Sequence, residues 1–332
     1  MKKIQLLALF NILFSNDLIY IALQSTDQIG VIDVINENID HINIDINYSI
    51  NNCQNYTSEE DCNSSEECEW IMYHCMDTDG MIINHIPHFI AIDEINDFWF
   101  VSTINSGYVL KYDLQTNILI DSLFIDNNIG HLTLNKLNKK IYVSNMIPMA
   151  GGMMGENSST IYEIDYYNSP MIINKEFQTP SNALHGIANN INGDEIYTVS
   201  NTADWLYKIS TSTNTIEGVN LDPSIGNPPD VTINRLKPIE CIHVNDSLLF
   251  VTCSGGMWYN PMIGFNEEIP GQIQMWNTHT MTLIDTLNFS VHSYPWHIIH
   301  DLENSHFYVT LAGDIIMPGT AGIASIQYEN NN

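Results

Sequence analysis

"PHFIAIDEINDFWFVST" (87–103) reads as two strands and the turn between them. "HFIAID" alternates apolar and polar residues, "EIND" supplies turn formers, and "FWFVST" is aromatic and β-branched, the composition of a pleated, half-buried surface. The phrase returns as "IGHLTLNKLNKKIYVSN" (129–145), "LHGIANNINGDEIYTVSN" (184–201), "IECIHVNDSLLFVTC" (239–253) and "PWHIIHDLENSHFYVTL" (295–311).

A third strand follows each phrase: "YVLKYDL", "TIYEIDY", "WLYKIST", "IQMWNTH" and "IASIQYE". A fourth closes most units: "ILIDSLFI", "PMIINKEF", "TIEGVNL" and "TLIDTLNF". The chain near its start, "LIYIALQSTDQIGVIDVINENIDHINIDI", supplies the second, third and fourth strands of a further unit, without the first. Four antiparallel strands repeated roughly every 40 to 55 residues predict an all-β fold, a β-propeller of four-stranded blades. The segments "LIYIALQSTDQIGVIDV", "IYVSN" and "IYTVSN" resemble the YVTN repeat of the YncE-like, WD40-like seven-bladed propellers. The resemblance spans nearly all of the chain except a cysteine-rich segment. It implies the fold and leaves the activity open, since this architecture hosts many. Quinoprotein amine dehydrogenase β-chain-like propellers share it in fold only, and nothing in this sequence marks a quinone or other cofactor. About six units are legible, so a seven-bladed ring would be C-terminally incomplete, its last unit lacking the fourth strand.

With 10 basic and 39 acidic residues the formal charge is −29, which excludes nucleic acid and anionic lipid as partners because no basic patch can neutralise phosphates. "MKKIQLLALFNILFSND" has two lysines before a short apolar run, the shape of a signal peptide over residues 1–16, too short to span a membrane comfortably. The propeller then occupies 17–332, and the protein is expected to be secreted, periplasmic or at the cell surface, as a monomer. Within it, 50–80 is an acidic, serine-rich insertion with Cys53, Cys62, Cys68 and Cys75. Such a segment builds little core, and two disulfides would staple it. Its cysteines lack a zinc-knuckle spacing.

Lettering the strands of each blade A to D outward from the axis places the long segments. The cysteine insertion and 222–238 are D-to-A connections; 145–159, 253–271 and 312–322 are B-to-C loops. All of them emerge on one face, while the A-to-B turns opposite stay short. Loops on a rigid scaffold carry function, so the long-loop face is expected to bind a protein, glycan or small ligand. Trp258, Tyr259, Met149 and Met153 offer contacts there.

The channel mouth adds chemistry. His88, Gly130, His185, Glu240 and Trp296 align at the start of strand A; Phe89, His131, Gly186, Cys241 and His297 come one place later. Imidazole and carboxylate ligate zinc, copper or iron, which makes His88, His185 and His297 metal candidates. Neighbouring strand residues point to opposite faces, so His88 and His131 need not aim at one point. Met146, Met149, Met153 and Met154 offer soft thioethers to Cu(I), or simply adaptable packing. Cys241 and Cys253, on neighbouring strands, form either a cross-strand disulfide or two buried thiols. His243 and His300 fall further along strand A as packed or solvated residues, and no nucleophile elbow, Walker loop or HExxH occurs. Two readings follow: a binding or scaffold propeller using the channel mouth, or a metal-dependent redox or hydrolytic enzyme built on His88, His131, His185 and His297.

Overall fold

A computed structural model of the chain describes residues 13–15, 18–43, 58, 68–71, 74–77, 85–146, 158–222, 234–260, 263–301 and 306–328. Among them there is no helix, and the strands form a six-bladed β-propeller.

Blade 1 holds Leu13–Ser15, Leu18–Leu23, Gln28–Asp33 and Asn38–Asn43 in antiparallel order. The first of these corrects the expectation of a blade without strand A: Leu13 pairs with Tyr20 and Ser15 with Leu18. Blade 2 runs Pro87–Asp93, Phe98–Thr103, Tyr108–Asp113 and Leu119–Phe124; blade 3 runs Ile129–Asn135, Lys140–Asn145, Ser159–Asp165 and Ile172–Thr179. Blade 4 is Leu184–Asn189, Glu195–Ser200, Trp205–Ser210 and Ile216–Asn220. Blade 5 is Pro238–Asn245, Leu248–Cys253, Gln272–Asn277 and Thr282–Asn288. Blade 6 has three strands, Pro295–Asp301, His306–Leu311 and Gly322–Gln327. Two hairpins decorate the ring: Gly256–Asn260 with Phe265–Ile269 in the blade 5 B-to-C loop, and Cys68–Ile71 with His74–Asp77 in the cysteine insertion. Met149, Met153, Cys53, Cys62 and the side chains of Cys68 and Cys75 lie outside the described residues.

The short turns close by one local device. A strand-end carboxylate or amide accepts the backbone N–H groups two or three residues on: Asp93 from Ile95 and Asn96, Asp113 from Gln115 and Thr116, Asn277 from His279 and Thr280. A left-handed residue then returns the chain to the next strand, Asp97 at φ 58°, Asn117 at φ 57° and Met281 at φ 50°. Asp and Asn suit both tasks, which is why they punctuate the repeat.

The core lies between blades. Ile90, Trp99 and Leu110 of blade 2 pack on Tyr20 and Ile29 of blade 1; Tyr197, Val199 and Leu206 of blade 4 pack on Leu249, Val251 and Trp276 of blade 5. The outer D strands of blades 1, 2 and 5 alternate or are largely exposed, with Asn38–Asn43 almost wholly so, as expected of a rim facing water. The A strands of neighbouring blades touch along the axis. That convergence brings their first residues together.

Candidate functional site

Every A strand of blades 2 to 6 opens in the same irregular way. A left-handed residue precedes it: Ile86 (φ 53°), Asn128 (φ 64°), Ala183 (φ 52°), Lys237 (φ 52°) and Tyr294 (φ 46°). A β-bulge follows, so that two residues face one on strand B: His88 and Phe89 face Ser102, Gly130 and His131 face Ser144, and His185 and Gly186 face Val199. Ile239 and Glu240 face Thr252, and Trp296 and His297 face Thr310. Glu240 is therefore the equivalent of His131, one place later than its sequence alignment, and Ile239 takes the place of His88. Cys241 falls past the bulge into the blade 4–5 core.

A strand B hydroxyl secures the bulges and ties blades together. Ser102 Oγ donates to Gly130 O (2.7 Å), Ser144 Oγ to His185 O (2.8 Å) and Thr252 Oγ1 to Trp296 O (2.7 Å), in each case the next blade's bulge. The same hydroxyls accept within their own blades, Ser102 from Phe89 N and Thr252 from Glu240 N. Blade 4 has Val199 at this position, and its Thr198 instead secures its own blade's bulge, donating to Gly186 O at 2.8 Å. The Ser or Thr in "FVST", "YVSN", "TVSN", "VTC" and "VTL" was the legible sign of this device. Gly186 adds a steric condition: a Cβ there would sit 2.4 Å from Glu240 Cα, so only glycine lets strand A of blade 4 approach that of blade 5.

A bulge re-aims side chains that strict alternation would send apart. His88 and His131 do meet, with ring centroids 5.1 Å apart; His88 and His185 are at 5.4 Å, His131 and His185 at 4.5 Å. One ring nitrogen from each of the three lies within 4.8 Å of the other two. His185 Nδ1–H donates to Ile239 O (2.7 Å), which leaves its Nε2 as the lone-pair nitrogen. His88 Nδ1 is bonded to the Gln24 side-chain amide (2.8 Å), while its Nε2 is buried without a partner, as is Nδ1 of His131. Burial holds His88 down at about 3, helped by His185 and His297. Burial likewise lowers His185 to about 4 and His131 well below the usual imidazole range, His131 with further repulsion from His185, His88 and His297. The three rings are neutral at physiological pH, the state that ligates a cation.

His297 stands beside this trio. Its Nδ1–H donates to Glu240 Oε2 at 2.5 Å, and the same oxygen accepts Ile298 N–H at 2.8 Å. His297 and Glu240 are both buried, and His297 Nε2 has no partner. Phe89 lies between the groups, its ring 4.3 Å from that of His131 and 5.7 Å from that of His297. Trp296 meets His185 edge-on at 6.2 Å. The remaining sequence candidates spread outward. Trp258 packs on the blade 4–5 core with the Arg235 guanidinium 5.8 Å over its ring, and Tyr259 is exposed. His85 is buried at the entry to blade 2, its N–H held by Asp27. His243 stacks on Tyr197 and His300 on Phe307, both as packed residues.

Cys241 and Cys253 are free and buried, which resolves that alternative against a disulfide. The strand register pairs Cys241 with Val251 and Cys253 with Pro238, so the two thiols are not directly opposed.

No family model matches the chain, and no curated protein matches it. Solved structures do. It is similar to Kuenenia stuttgartiensis hydrazine synthase, at 12% identity and a TM-score of 0.63, over 93% of this chain and 75% of that one. It is similar as well to a chain in the crystal structure of the mitotic checkpoint complex, at 12% identity and a TM-score of 0.59, over 96% of this chain and 73% of that one. At such identity the likeness shows the fold alone, the β-propeller that topology had already established.

Proposed function

We propose that this propeller is a binding module whose channel mouth takes a transition-metal ion through His88, His131 and His185. The observation that carries the reading is a pair of buried, unpartnered nitrogens, Nε2 of His88 and Nδ1 of His131, in a trio whose ring nitrogens, one from each residue, lie within 4.8 Å of one another. Buried polar atoms are nearly always satisfied, and an ion satisfies both. Imidazoles suit zinc and copper, and three of them leave a fourth position open. Ligand nitrogens around zinc stand about 3.4 Å apart at a bond length of about 2.1 Å, within reach of small ring rotations here. Ligation through His88 Nε2 requires Nδ1–H, and hence Gln24 turned so that its amide oxygen accepts that proton.

Export, a YVTN-type ancestry and macromolecular contact through the long-loop face belong to the same proposal. The repeated strand phrase and the one-sided loops support the last two, and the N-terminal pattern supports export, with the signal ending ahead of strand A at Leu13–Ser15. A second reading, a metal-dependent hydrolytic or redox enzyme, is favoured by the His297–Glu240 pair, a buried carboxylate–imidazole couple beside the trio. The test is to load the purified full chain with Zn²⁺ or Cu²⁺, desalt it and measure metal by mass spectrometry. About one ion per chain is expected, lost in a His88→Ala, His185→Ala double variant. No retained metal, or equal retention in the variant, would overturn the reading.

A further inference from the structure

The long-loop face holds a second feature, a cavity of about 560 Å³ one wall away from the trio. Ile239, whose carbonyl accepts the His185 proton, and Trp296, whose ring abuts His185, line it. Its other walls come from D-to-A connections and B-to-C loops of blades 4, 5 and 6, the segments that sequence had placed on the working face. The volume is that of a small-molecule site.

Its charge runs against the rest of the molecule. Acidic residues outnumber basic ones 39 to 10 in the chain, yet among the described residues no Asp or Glu lines this cavity and one lysine does. The Lys237 ammonium donates one hydrogen bond, to Met257 O at 3.0 Å, leaving two donors for a ligand. It hangs over Gly256: a Cβ at that glycine would lie 3.6 Å from Lys237 Nζ and 3.2 Å from Tyr294 Cε1. Gly256 thus keeps open the space where the ammonium and the Tyr294 ring meet. The backbone of Lys237 and of Tyr294 is left-handed, and each residue is followed by the proline that opens its A strand, so the two side chains are held by the blade-opening device itself. The carboxylates around the cavity are already engaged: Asp204 accepts the backbone N–H groups of Arg235, Leu236 and Lys237, the last at 2.8 Å, and Glu268 and Asp314 pair with His292.

We infer that this cavity binds a small organic anion, a carboxylate with an apolar or aromatic body, its charge on Lys237 and its body between Tyr294 and Trp296. Two aromatic walls recognise a flat apolar group, and the lone ammonium selects the anion. The inference is independent of metal occupancy at the trio, although a ligand here would lie against His185.

The test uses the full chain and three probes of one shape: 3-phenylpropionate, its neutral amide and 3-phenylpropylamine, titrated calorimetrically at physiological ionic strength. The carboxylate is expected to bind about ten-fold or more tighter than the amide, the margin of a charge-assisted hydrogen bond, and the amine not at all. Lys237→Met is expected to erase the preference, while Lys208→Met, on the opposite face and paired with Glu195, keeps it. Equal binding of acid and amide, binding of neither, or a preference that survives Lys237→Met would overturn the inference. Metal content measured on the same samples separates this outcome from that of the metal reading: loss of one without the other identifies which has failed.

Discussion

Blades 2 to 4 and blades 5 and 6 open their inner strands with the same backbone and present different chemistry. Bulge, left-handed residue and strand B hydroxyl recur in both groups. The first group places one histidine per blade on the axis, and the three imidazoles cluster, with one nitrogen of His88 and one of His131 unpartnered. The second pairs its histidine with a carboxylate, His297 with Glu240, and turns Trp296 and Lys237 toward a cavity. The backbone device fixes where side chains converge, and residue identity at two positions per blade decides what they do there. In the proposed reading blades 2 to 4 accept a cation, while blades 5 and 6 hold a hydrogen-bonded imidazole–carboxylate pair and a site for an anion.

That contrast breaks most sharply by mutation. His131→Ala, which removes the ligand from the middle of the trio, is expected to weaken metal retention about 100-fold or more, with circular dichroism unchanged. Glu240→Ala is expected to act on the other group: it strands His297 and Ile298 N–H in the interior, costing about 3 kcal/mol in urea unfolding while metal retention persists. If Glu240→Ala instead empties the trio, the two groups are one coupled site and the division fails. Gly186→Ala joins the groups physically, since its methyl meets Glu240 Cα; about 2 kcal/mol of destabilisation is expected, together with weaker metal binding as His185 is displaced.

Acid sharpens the comparison further. The folded trio has imidazoles held far below the ordinary value of 6.5, so the unfolded chain binds more protons below that pH. Stability of the metal-free protein is therefore full above pH 6.5 and falls as pH drops toward 4, by at most about 1.4 kcal/mol per pH unit for each imidazole. Asp204, whose carboxyl burial raises to about 6, pulls the opposite way in the same window. The informative quantity is thus the difference from a variant lacking all three histidines, whose profile is expected to lose this slope. Smallest is Ser144→Ala, which removes a hydroxyl bridging the bulges of blades 3 and 4 and is expected to cost about 1 kcal/mol.

Much of this was legible in the chain. Alternation in "FIAID" and "FWFVST", Asp and Asn at the turns and the recurrence of the phrase specify four-stranded blades, because these signals act within a few residues. Loop lengths marked the face on which both the trio and the cavity lie. One reading went wrong for a local reason. The alignment of Glu240 with His88 assumed unbroken strands, and a bulge adds a residue without changing composition. The pairing of Cys241 with Val251 follows from the same shift.

The sequence by itself determined the blades, their turns, the side on which the long loops gather and the presence of histidines near the axis. The tertiary structure alone decided which of them meet. Side-chain direction along a strand is a local rule, but the bulges that override it are held by hydroxyls donated from the neighbouring blade and by Gly186 closing on Glu240, partners 28 to 54 residues away in the chain. Contacts at that separation leave no periodic trace to read, and it is there that His88, His131 and His185 become one site.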